Sequence, residues 1–464
     1  MRTFRRVELL AVLLVSVGLL NLEADEPAAP AKPRVIARPA IRLIAPAVKP
    51  KELVVDKPAE AKAAETKATT EAVVIEEQPT IKPGAEASAS HEQVAAIEVK
   101  GEQGSTLQTL SATPDGKIVG LVAPARYAAI GVAGKGPSPS EIRLFDSEGK
   151  ETQRWSLAFT GQSVGVGPDG TIYVAGDGRL AKYAADGKLL AELELPHLAE
   201  VLKDQDALKK KAEEQLKQEQ LSFVNSKKVY EQIVKQLEEK TDRTPVEDQQ
   251  LKAYKNYLEN FDAQTAARNE RKIEDVIKQL TSRLRIINGI AATEKDVYVA
   301  CGELVGYGYA IWRMDTDLKN AERVLGPVSG CCGQMDIQAK GDHFYLSENT
   351  KKRVAQYDRT GKLVNAFGQS GRESDGLSFG GCCNPMNCRL CATGDIVTAE
   401  SEGIVKRFSA TGEFLGLVGY AKLTGGCKNV AVAASPKGDR IYFCDLPGSR
   451  IIILAAKKTE AAGE

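Results

Sequence analysis

With 464 residues the chain is long enough for two or three domains, or for one large all-β domain with additions. Its 62 basic and 62 acidic residues cancel, leaving no global field to draw nucleic acid or an anionic membrane surface. The charge is unevenly spread: it is densest between about 197 and 285, whereas glycine gathers in the second half.

At the N-terminus, Arg2, Arg5 and Arg6 precede an apolar run from Leu9 to Leu20, and Leu22-Glu23-Ala24 offers a cleavage site. The run falls short of the ~20 residues needed to span a bilayer, so residues 1–24 read as a secretory signal peptide, or else an uncleaved anchor. Both place the body of the protein outside the cytoplasm, periplasmic or extracellular, where disulfides are permitted. A membrane is then met only through an uncleaved N-terminus. Residues 25–93 are rich in Ala, Pro, Lys and Glu, as in Pro27-Ala28-Ala29-Pro30-Ala31-Lys32-Pro33. Without sustained periodicity they predict a disordered tether, reaching roughly 45–50 Å as a flexible coil.

From 94 to 196 short β-rich runs alternate with turns. Ser163–Val166, Thr171–Ala175, Leu180–Tyr183 and Lys188–Leu190 are divided by Pro168-Asp169-Gly170, a loop and Asp186-Gly187. From 197 to 284 the texture turns helical. Leu198, Leu202, Leu208, Ala212 and Leu216 keep mostly three- and four-residue spacing, as do Leu251, Tyr254, Leu258, Phe261, Ile273, Ile277, Leu280 and Leu284. Thr244-Pro245-Val246-Glu247 between them is a capping box with proline at the first helical position. This predicts an inserted helical hairpin, a short coiled coil, whose narrow stripe pairs with itself or also with a partner.

The four-strand phrase returns over 285–458, ahead of a short tail, 459–464. It shows in Asp296–Ala300, in His343–Glu348 with Arg353–Asp358, in Asp395–Glu400 with Ile404–Phe408, and in Arg440–Asp445 with Arg450–Leu454. A four-strand repeat of about forty residues marks a β-propeller blade. Six blades are predicted, starting near 105, 160, 286, 329, 379 and 424, and Val94–Val99 is placed to supply the outer strand that the last one lacks.

Ser347-Glu348-Asn349 through Arg353-Val354-Ala355-Gln356-Tyr357-Asp358-Arg359-Thr360-Gly361-Lys362 resembles the NHL repeat, an acidic residue leading through an Arg-Val strand to an Asp-x-x-Gly-Lys turn. The resemblance is clearest there, fair over 379–419 and 424–455, and weak earlier. It implies a six-bladed NHL-like propeller, a family serving both as binding platforms and as enzymes.

Seven of the nine cysteines fall in three related stretches, Ser329–Asp336, Gly380–Cys391 and Gly425–Asn429. In a propeller all three precede innermost strands, so they open onto one face beside the helical insertion. Glu348, Glu400, Asp445 and Cys301 return to that face from second strands. Besides free or vicinally bonded thiols, two chemistries compete for Cys331, Cys332, Cys382, Cys383, Cys388, Cys391 and Cys427. One is disulfide staples between neighbouring blades. The other is a soft metal, zinc or copper, with Met335 and Met386 adding thioethers. Cys388 and Cys391 have zinc-knuckle spacing, but a three-residue step along a strand points them to opposite faces unless a bulge intervenes. Glu348, Asn349, Glu400 and Asp445 either gather a cation, as in lactonase propellers, or hold loops. His91, His197 and His343 do not supply the histidine set of a zinc lyase, and no P-loop, dinucleotide fingerprint or Gly-x-Ser-x-Gly elbow is present. The leading expectation is a non-enzymatic scaffold binding protein partners through the insertion and the cysteine face. The alternative is a metal- or redox-cofactor propeller enzyme.

Overall fold

The structure, a computed structural model, describes residues 88–125, 140–304, 308–331, 335–371, 376–381, 383–424 and 430–458. The predicted leader, nearly all of the tether and the tail fall outside these residues, as do Cys332, Cys382 and Cys427.

The β-rich parts form six four-stranded antiparallel sheets among the described residues. Strand β1 (His91–Glu98) comes first. Sheet one is β2 (Thr106–Ala112), β3 (Ile118–Ala123), β4 (Glu141–Phe145) and β5 (Glu151–Ser156). Sheet two is β6 (Ser163–Val166), β7 (Ile172–Gly176), β8 (Arg179–Tyr183) and β9 (Leu189–Glu194). Sheet three is β10 (Ile287–Ala292), β11 (Asp296–Gly302), β12 (Gly308–Asp315) and β13 (Glu322–Ser329). Sheet four is β14 (Ile337–Lys340), β15 (His343–Glu348), β16 (Arg353–Asp358) and β17 (Leu363–Phe367). A small parallel pair, β18 (Gln369–Ser370) and β19 (Ser378–Phe379), leads into sheet five: β20 (Asn387–Leu390), β21 (Ile396–Ala399), β22 (Ile404–Phe408) and β23 (Phe414–Tyr420). Sheet six is β24 (Val430–Ala434), β25 (Arg440–Asp445) and β26 (Arg450–Ala456), with β1 hydrogen-bonded along β26 as its fourth strand.

Side chains alternate across a strand, so each sheet can feed two apolar layers. Val174 of β7 packs towards sheet one with Leu121 and Ile142, whereas its neighbours Tyr173 and Ala175 pack towards sheet three with Ile287, Val297 and Val299. The same rule puts Tyr298 and Phe344 between sheets three and four, Tyr345 and Phe408 between four and five, and Val397 and Phe443 between five and six. A last cluster joins Tyr442 and Ile451 of sheet six to Leu107 and Ile118 of sheet one. Middle strands buried on both faces explain why the sequence shows near-continuous apolar runs there. The turns are closed by their aspartates. Asp358 accepts from the backbone N–H groups of Thr360 and Lys362 at 2.9 and 3.1 Å, and Asp146 accepts likewise from Glu148 and Lys150 at 3.0 and 2.9 Å.

The insertion differs from a two-helix hairpin. α1 (Pro196–Lys203) and α2 (Gln205–Glu239) are followed by α3 (Pro245–Glu259), α4 (Phe261–Asn269) and α5 (Ile273–Leu284), which pack on α2. The expected single return helix is thus broken near Asn260 and over 270–272, while the capping box of Thr244 and Glu247 forms. The insertion leaves and re-enters the sheets at adjacent points: Leu195 N–H donates to Gly178 O at 2.7 Å, and Gly178 N–H to Arg285 O at 3.2 Å. Across the same root, His197 Nε2 donates to Leu284 O at 2.6 Å. Among the described residues no helix is long and apolar enough to cross a membrane.

Candidate functional site

The first strands of the six sheets converge on an axis. Gln108, Ser163, Asn288 and Asn387, with Asp336 just before β14 and Arg389 in β20, line a cavity of about 80 Å³ there. These polar side chains are buried. Asp336 accepts from Arg389 Nη1 at 2.8 and 3.0 Å and from the Cys388 backbone N–H at 2.9 Å. Burial pushes the Asp336 carboxyl above the ordinary aspartate value, and the Arg389 guanidinium pulls against it. Arg389 Nε and Asn387 Oδ1 find no protein partner among the described residues. A polar space of this size takes a few water molecules. Ligand pockets run to about 300–1,000 Å³.

Around the axis the cysteine face follows one plan in sheets four to six. β15 ends on Glu348, which is fully buried; Arg353 at the start of β16, Lys351 at 3.1 Å and Tyr357 OH at 3.1 Å converge on it. Glu400 follows β21, with Lys406 Nζ 2.7 Å away and the Gly380 N–H donating at 3.3 Å. Burial raises the Glu400 carboxyl above its usual range, opposed by Lys406. Asp445 ends β25 and accepts from Arg450 at 2.6 and 2.9 Å and from the Thr424 hydroxyl at 2.8 Å. Each carboxylate thus meets a cation from the third strand of its sheet. Two of them also take hydrogen bonds from the loop that arrives from the preceding sheet. At sheet four the neighbouring Asn349 does this work, donating to Cys331 O at 3.2 Å and accepting from Cys331 N–H at 2.8 Å. A carboxylate surrounded in this way has few lone pairs left for a ligand.

Of the predicted cysteine set, the structure brings two together: Cys331 Sγ and Cys383 Sγ lie 3.2 Å apart, although 52 positions separate them in sequence. Cys383 is buried and Cys331 half-buried, and both pack against the apolar layer between sheets five and six, beside Met386. Met335 is buried elsewhere, between sheets three and four. Cys388 and Cys391 do not converge. β20 pairs with β21 in regular register, so Cys388 faces the layer between sheets four and five and Cys391 the layer between five and six. Burial, and then the charge of Asp336, push the Cys388 thiol up to about 12; burial also raises Cys391. Burial likewise raises Cys301 and Cys444, each enclosed in a core layer. Among the described residues no three or more His, Cys, Asp or Glu side chains gather in a metal-holding arrangement.

The insertion contributes an open groove of about 510 Å³ between α2, α4 and α5, lined by Glu219, Gln264, Arg268, Glu270, Arg271 and Asp275. On α2, Leu221 and Val224 are 56% and 47% exposed.

Sequence reasoning missed the axial group of Asp336, Asn387 and Arg389. Its signal was present: a polar residue near the start of successive first strands, at Gln108, Ser163, Asn288, Asp336 and Asn387. It was masked by the neighbouring cysteines.

Sheets packed face to face around one axis, each an antiparallel meander, define a β-propeller carrying a helical insertion. No family model matches the sequence, and no curated protein matches it. Among solved structures, the chain is similar to the WD40 repeats of RRP9, with a TM-score of 0.40, 9% identity, and 79% of this chain and 100% of that one covered. The Neurospora crassa Pan2 WD40 domain gives 0.40, 8%, 81% and 98%. A protein of unknown function from Bacteroides thetaiotaomicron gives 0.43, 10%, 80% and 74%. At these scores the likenesses add nothing to the sheet arrangement described above.

Proposed function

We propose that the chain is an exported, six-bladed NHL-like β-propeller that works as a binding scaffold, its contact surface made of the helical insertion and the cysteine-bearing face. The observation that carries this reading is the filled axis: among the described residues, a space of about 80 Å³ around the Asp336–Arg389 ion pair leaves no room for an organic substrate. The carboxylates at the mouth support it, since Glu348, Glu400 and Asp445 are engaged in holding loops. The insertion supports it too, with an open charged groove and exposed Leu221 and Val224.

A photo-cross-linking residue placed at Leu221 or Val224 tests the reading, with Leu189 on an outer strand as the reference position. Discrete cross-linked species are expected from the α2 positions and not from Leu189. Equal yields from all three would overturn it. The rival reading, a cofactor enzyme working through a cysteine cluster, predicts stoichiometric zinc or copper in the purified protein, lost on Cys383→Ser.

A further inference from the structure

We propose that Cys331 and Cys383 are a redox-active pair whose disulfide staples sheet four to sheet five at the propeller mouth. At 3.2 Å the two sulfurs are too far apart for a bond of about 2 Å. They are also closer than the roughly 3.8 Å that separates two thiolates on one tetrahedral zinc with 2.3 Å bonds. The spacing suits two thiols in contact, one small movement from bonding.

Both backbones are held in place. Asn349 clamps the N–H and the carbonyl of Cys331. Beside Cys383, Asn384 Nδ2 donates to Gly380 O at 3.0 Å and its Oδ1 accepts from Ser401 N–H at 2.8 Å. Lys352 Nζ adds a bridge from sheet four to Gly381 O at 2.7 Å. A pair fixed in this way has a high effective concentration of one thiol for the other, which favours the intramolecular disulfide over mixed species.

The reaction is thiol–disulfide exchange with a small-molecule disulfide RSSR. Cys331, the more accessible sulfur, attacks as the thiolate; its S–R bond forms as the R–S bond of RSSR breaks, releasing RS⁻. Cys383 then loses its proton and attacks the Cys331 sulfur, forming the protein disulfide and releasing the second RS⁻. Two electrons pass to RSSR, and the two thiol protons end on two RSH.

The test uses the full chain, equilibrated across a series of reduced and oxidised glutathione, trapped by alkylation and mapped as unreduced tryptic peptides. The segment 324–340 should be joined to 373–389, with the linked fraction following a single two-electron couple. Because Cys332 and Cys382 lie in the same peptides, the decisive variant is Cys332→Ser with Cys382→Ser, in which the link should persist. Cys331→Ser and Cys383→Ser should each abolish it. The proposal is overturned if wild-type protein shows no link at any ratio, if the link disappears in the Cys332→Ser/Cys382→Ser variant, or if it survives Cys383→Ser.

Discussion

In sheets four, five and six the second strand gives way to a buried carboxylate, Glu348, Glu400 or Asp445, paired with a cation from the next strand. In sheets one, two and three it ends on Ala123, Gly176 and Gly302. In sheets two and three the arriving backbone comes in directly. A Cβ on Gly176 would lie 2.1 Å from Thr160 O and 2.8 Å from the Gln162 nitrogen, and one on Gly302 would lie 3.0 Å from Arg283 O. The same corner of the fold is therefore held by charge in sheets four to six and by close backbone approach in sheets two and three. Charged anchors take long side chains and leave space beside them for loops, and those are the loops that carry the cysteines. Close approach leaves no such space. At sheet three it brings the end of α5 against β11 instead.

Breaking a charged anchor should cost most. Glu348→Ala leaves Arg353 without its partner beside a buried site, and a loss of about 3–5 kcal/mol is expected in a urea titration. Replacing both members, Glu348→Met with Arg353→Met, should recover most of it. If the single variant is near neutral, the charged half is not held by its ion pairs.

Gly176→Ala probes the other mechanism. The added methyl meets backbone oxygen rather than a side-chain tip, so about 1–3 kcal/mol should be lost. The loss should not depend on pH. A variant as stable as wild type would show that the Thr160–Gln162 segment moves aside freely.

The pH dependence of the charged half has a sign set by Glu400. Its carboxyl is raised by burial, so the folded state takes up a proton more readily than the unfolded chain does. Relative to Glu400→Gln, the wild type should therefore gain stability as pH falls from neutral through that raised value. The gain should be complete near the ordinary glutamate value of 4.5. A flat or opposite difference between the two melting curves would contradict the assignment.

The smallest effect is expected where the halves are alike. Asp146→Ala and Asp358→Ala remove the same turn hydrogen bonds in sheets one and four. Their melting midpoints should drop slightly and equally. A marked inequality would show that the halves differ in general rigidity and not only at this corner.

The local units are written in the order of residues along the chain. Paired turn residues such as Asp358 and Gly361 set the hairpins, because an Asp side chain closes the turn on its own backbone whatever surrounds it. Apolar runs such as Ile172–Ala175 set the buried middle strands, and the spacing of Leu208, Ala212 and Leu280 set the helices. The acidic residues at 348, 400 and 445 were visible as candidates, though not their partners. Blades four to six are predicted to start near 329, 379 and 424 with the cysteine stretches ahead of their innermost strands, and those strands begin at Ile337, Asn387 and Val430.

Contacts between repeats depend on the packing of whole sheets and cannot be read from any one segment. Nothing local tells Cys331 that its neighbour is Cys383 rather than Cys388. That follows from the register of β20 with β21, which turns Cys388 into one apolar layer and Cys391 into the next. Nor does a local pattern join Asp336 to Arg389 across two sheets. The first kind of information is carried by bonds and hydrogen bonds within a few residues, and the second by the packing of whole sheets, which one segment of sequence does not contain.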